Sequence, residues 1–74
     1  MNIQDKTFNN NLKRERKNKG FTQESIAETI GVSRKRYAKW EEDTWPPRQY
    51  IIKICEVLQI DDLYLFLSKD LVEH

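Results

Sequence analysis

Seventy-four residues with a net charge of +1 make one small domain, its core near the lower limit for independent folding. A single cysteine cannot form an internal disulfide, and the one histidine, His74, has no partner residue type. Short supply thus excludes a four-ligand zinc site, a Cys–His pair and a Ser–His–Asp arrangement, so neither an enzyme nor a metal or cofactor is expected.

No apolar run approaches the ~20 residues of a membrane span, and no signal-peptide pattern opens the chain. The expectation is a cytoplasmic protein without membrane contact. Charge is segregated: residues 1–40 hold ten Lys/Arg against four Asp/Glu, and residues 41–74 hold three against eight. A basic front and an acidic back orient a molecule toward a polyanion.

Residues 1–6 carry little apolar material and read as a flexible N-terminal arm, ahead of a domain over 7–68 and a tail over 69–74. The first helix follows, with Thr7 or Asn9 as its cap and Phe8 and Leu12 as an i, i+4 core pair. Asparagines at 9 to 11 are poor helix formers and blur its start. Lys13, Arg14, Lys17 and Lys19 lie on or near exposed faces, with Lys17 and Lys19 closest to the segment that follows. Lys19-Gly20 closes the helix with a cation for the dipole and a glycine for the reversal, and Phe21 enters the core.

Thr22 caps a second helix over Gln23–Ile30, whose Ile26 and Ile30 share one stripe. Gly31 stops it, Val32 fills the corner and Ser33 caps a third helix from Arg34 to about Glu42. Tyr37 and Trp40 point one way on that third helix, with the aliphatic part of Glu41 nearby. Arg34, Lys35, Ala38, Lys39 and Glu42 form the opposite face. That face is polar and long-armed, with one small residue midway, as a helix lying in a major groove requires. Glu42 and Asp43 then make the exit from the helix acidic. Trp45 covers the core edge or stands exposed, and Pro46-Pro47 hold the segment extended.

A fourth helix over about 48–58 places Ile51, Ile54, Cys55 and Leu58 on one side and leaves Ile52 on another. The thiol reads as packed and inert. Asp61 caps a short fifth helix through about Ser68, in which Leu63, Phe66 and Leu67 complete the core. Ile52, Tyr64, Leu65 and Leu71 then form a self-association patch or simply extend the core.

The stretch QESIAETIGVSRKRYAKWE resembles the lambda-repressor-like helix-turn-helix family (XRE or Cro-type regulators). Gln23, Ile26 and Ala27 match its opening. Gly31, Val32 and Ser33 match its turn, and Tyr37, Lys39, Trp40 and Glu41 match its second helix, with Tyr37 where isoleucine is commoner. GFTQ before it, Pro46, and Ile54-Cys55-x-x-Leu58 after it also sit at family spacing, so the match spans roughly residues 8 to 67. The resemblance implies a compact all-α, five-helix DNA-binding domain. It also implies a structural ion pair between Arg16 and Glu41, and it departs from the family pattern at the acidic Glu42-Asp43.

The implied function is a sequence-specific double-stranded DNA-binding regulator, in such company a repressor. Ser33, Arg34, Lys35, Ala38 and Lys39 would face base edges, and Gln23, Thr22, Arg36, Lys17 and Lys19 would meet phosphate. One such module binds modestly, so a homodimer on a palindrome is expected, located on the nucleoid when bound, with a regulatory protein as a further possible partner. The alternative is a protein-interaction adaptor or antitoxin-type module that keeps the fold without operator readout.

Overall fold

The structure is a computed structural model and describes residues 6–66. Five helices follow one another: α1 (Thr7–Asn18), α2 (Gln23–Ile30), α3 (Arg34–Glu42), α4 (Arg48–Leu58) and α5 (Leu63–Phe66). No strand occurs among the described residues, and the class is all-α.

Local chemistry explains most of the boundaries. At the start of α2 the Thr22 hydroxyl accepts from the Ser25 amide, and the Ser25 hydroxyl accepts in turn from the Thr22 amide. This reciprocal box satisfies two donors that a helix start leaves open. Gly31 ends α2 at φ 86°, and the Val32 and Gly31 amides donate to the Ala27 and Glu28 carbonyls. That Schellman closure turns the chain so that the Ser33 hydroxyl, accepting from the Arg36 amide, begins α3 at once. Gly20 closes α1 in the same way, with Phe21 N–H donating to Arg16 O. α4 ends with the same two bonds, but the left-handed residue is Gln59 at φ 58°.

Phe8, Leu12, Ile26, Ala27, Ile30, Tyr37, Trp40, Ile54, Leu58 and Leu65 form one buried cluster. Phe21, Val32, Tyr50, Cys55, Val57 and Ile60 close over it. Ile51 and Cys55 lie half-buried beside the fully enclosed Ile54 and Leu58. Burial pushes the Cys55 thiol up from its ordinary pKa, with Asp62 and Asp61 adding to the shift.

The two ends of the fold differ from the sequence expectation. Neither Thr7 nor Asn9 caps α1: Lys6 occupies the cap position without a side-chain hydrogen bond, and Thr7 is already helical. Asn9 is buried instead, its amide donating to Trp40 O at 2.7 Å and Thr44 O at 2.9 Å. Asn11, also buried, donates to Leu65 O at 3.2 Å. Two of the asparagines that weaken α1 as a helix thus tie it to the ends of α3 and α5.

In α5, Leu63 and Phe66 are exposed and Leu65 is fully buried, the reverse of the expected pattern. The helix is entered through i→i−3 bonds, Tyr64 N–H to Asp61 O and Leu65 N–H to Asp62 O. That tighter winding rotates the register and turns Leu65 toward α1. Leu65 therefore cannot belong to a self-association patch. Leu67, Leu71, the arm before Lys6 and the tail over 69–74 lie outside the described residues.

Candidate nucleic-acid interface

α3 is held from behind by a buried polar knot. Arg16 Nε donates to Glu41 Oε2 at 2.5 Å and Arg16 Nη2 to Glu41 Oε1 at 3.2 Å, a two-pronged ion pair from α1 to α3. Arg16 Nη1 also donates to Phe21 O at 2.6 Å, fixing the approach to α2. The Tyr37 hydroxyl donates to Glu41 Oε2 at 2.6 Å and Gln23 Nε2 to Glu41 Oε1 at 3.0 Å. Among the described residues no enclosed side-chain polar atom lacks a partner, the condition under which burying an ion pair is tolerable.

The electrostatics follow from this crowding. Burial favours neutral Glu41, but hydrogen bonds from Arg16, Tyr37 and Gln23 outweigh it and hold the carboxyl below its ordinary range. The hydrogen bond to Glu41 raises the Arg16 guanidinium pKa against the opposing effect of burial. Burial, then the hydrogen bond to Glu41, drives the Tyr37 phenol far above its ordinary value.

With Tyr37, Trp40 and Glu41 turned inward, the outward face of α3 carries Arg34, Lys35 and Lys39, all exposed, around half-buried Ala38. Exposed Ser33 stands at its N-terminal end, its hydroxyl already accepting the Arg36 amide. Gln23 sits where the two helices meet. Glu41 takes its amide nitrogen, so its carbonyl faces outward and accepts from Arg34 Nη1 at 3.4 Å. The buried knot therefore extends to a side chain on the exposed face. Thr22, Lys17 and Lys19 are exposed near the start of α2.

Arg36, the remaining phosphate candidate, is exposed and lies against aromatic rings. Its guanidinium lies 5.6 Å from the Trp40 ring centroid and 5.3 Å from that of Tyr50. Tyr50 and Lys53 of α4 adjoin this face, and nothing in the sequence pattern alone singles out either. The i, i+4 spacing of Arg36 and Trp40 was the available signal. Glu42 and Asp43 stand exposed at the end of α3, and Trp45 is exposed while contacting Phe8 and Phe66 at centroid distances of 5.4 and 5.3 Å.

A family model described as Helix-turn-helix matches residues 12–65, well over half of the chain. The chain belongs to the helix-turn-helix family. The XRE-type resemblance in the α2–α3 segment is thereby accounted for, and helix-turn-helix proteins of this kind are DNA-binding regulators rather than enzymes. The chain is also similar to the solution structure of the SOS-response transcriptional repressor LexA from Eubacterium rectale. The TM-score is 0.85 at 25% identity, over 99% of this chain and 82% of that one. Among curated protein sequences, none matches. In helix-turn-helix terms α2 is the first helix of the motif and α3 the second. Among the described residues, no helix is long and apolar enough to cross a membrane.

Proposed function

We propose that this helix-turn-helix protein is a sequence-specific repressor that reads the major groove with α3, as a homodimer on a palindromic operator. The observation that carries the reading is the division of α3. One face is locked by Tyr37, Trp40 and the Glu41 knot, and the other presents Arg34, Lys35 and Lys39 to solvent. Long cationic side chains on a helix whose roll is fixed suit guanine O6 and N7, and Ala38 leaves room for a thymine methyl. Gln23, Thr22, Lys17 and Lys19, beside the start of α2, suit the phosphates that set register. Similarity to a protein titled a transcriptional repressor supports the direction of regulation. Two protomers would place their α3 helices about one helical turn (~34 Å) apart.

Selection of bound sequences from a random duplex pool, with bound mass recorded, tests the proposal. The expected result is a palindromic motif carrying two protomers. Arg34→Ala and Lys35→Ala are each expected to relax preference at one base pair by about 1–3 kcal/mol. Equal loss on every sequence would assign them to phosphate instead. The exposed acidic pair Glu42-Asp43, beside the groove face, favours a second reading as a protein-interaction adaptor. An absence of enrichment together with salt-insensitive binding would decide for it.

A further inference from the structure

Tyr50 lies half-buried in the first turn of α4, tilted against buried Trp40 of α3 at a centroid distance of 5.5 Å. Two cations use its ring: the Arg36 guanidinium at 5.3 Å and Lys53 Nζ at 5.5 Å. Arg36 also covers Trp40 at 5.6 Å, so the pair of rings forms a shelf with a cation from α3 and another from α4. Among the described residues the ion pairs are Arg14–Glu15 and Arg16–Glu41, and within that set neither Arg36 nor Lys53 has a carboxylate partner. An anion bound beside the two cations would supply the counter-charge that the described residues do not.

The shelf's position specifies the anion. Arg36 follows Lys35 by one residue, about 100° around α3, at the border of the exposed cationic face. A helix seated in a groove about 12 Å wide has a phosphate strand along each flank. The stacking contacts also hold Arg36 in advance. A cation–π contact offsets part of the rotamer entropy that a long side chain loses on being fixed. Residues 41–74 contain only three Lys/Arg, and one of them, Lys53, stands over a ring packed against α3.

We infer that Arg36, Tyr50 and Lys53 form a phosphate-binding shelf that extends the DNA contact from α3 onto α4. The inference rests on the major-groove reading, and it assigns Tyr50 and Lys53 to the interface. Lys53 contacts the backbone directly, and Tyr50 acts as a positioning residue for both cations.

Binding of the intact chain to a mixed-sequence DNA duplex across a salt series tests it, because backbone contacts are independent of the operator. Each phosphate neutralised adds about 0.9 to the slope of log K against log salt. Lys53→Gln is expected to lower that slope by about 0.9, and Lys53→Arg to restore it. Tyr50→Leu is expected to weaken binding several-fold, whereas Tyr50→Phe, which keeps the ring, retains wild-type affinity. Lys53 is exposed, so Lys53→Gln leaves the core untouched. Salt-dependent binding by wild type with an unchanged slope for Lys53→Gln overturns the shelf and leaves the groove reading standing. No salt-dependent binding by wild type overturns both.

Discussion

Glu41 stays charged in a place where burial alone would neutralise it, because Arg16, Tyr37 and Gln23 all donate to its two oxygens. Its folded pKa lies below the unfolded value of about 4.3. The stabilisation is therefore complete above pH ~4.3 and is lost as pH falls through the folded value. Urea titrations over a pH series are expected to show stability declining below pH ~4.3, and less steeply in Glu41→Gln. At neutral pH, Arg16→Met leaves the carboxylate stranded and is expected to cost about 3–5 kcal/mol, against a total of about 5–15 kcal/mol for an ordinary domain. A loss below 1 kcal/mol for Arg16→Met would show that water reaches Glu41 and replaces the guanidinium.

At the scale of the helices, the ends of α1, α2 and α4 share one hydrogen-bond pattern, but only α4 meets it without glycine. A left-handed residue with a side chain costs roughly 1–2 kcal/mol, part of which a glycine gives back through its freer unfolded chain. Gln59→Gly is therefore expected to stabilise by about 0.5–1 kcal/mol and to raise the thermal midpoint by several degrees, at about 4–8 °C per kcal/mol for a domain of this size. A lowered midpoint would assign the Gln59 side chain a contact of its own.

The same comparison explains what could be read in advance. α2 and α3 were legible because Thr22, Gly31 and Ser33 determine their ends through neighbours three or four residues away. The burial of Asn9 and Asn11 in α1 rests on partners 31 to 54 positions away, and no local rule carries that information. The α3 face was legible in outline, but the placement of Arg36 over Tyr50 required the α3–α4 packing.

For the whole molecule, the apolar side chains left outside the core matter most to assembly. Ile52 and Tyr64 are exposed, at 49% and 42%, while Leu65 is enclosed, so among the described residues of the expected patch these two remain on the surface of α4 and α5. If two protomers meet there, Ile52→Glu is expected to sediment as a monomer with unchanged helicity. A dimer that survives the substitution would place the contact elsewhere.

The two tryptophans divide this small molecule optically. Trp40 is 4% exposed beneath Arg36 at the back of α3, and Trp45 is 57% exposed five residues later, against Phe8 and Phe66. A soluble quencher reaches the second indole and not the first. Trp45→Phe would therefore leave a single tryptophan at the inner edge of α3, where a shift in its emission, excited apart from the tyrosines, reports the seating of that helix without any attached dye.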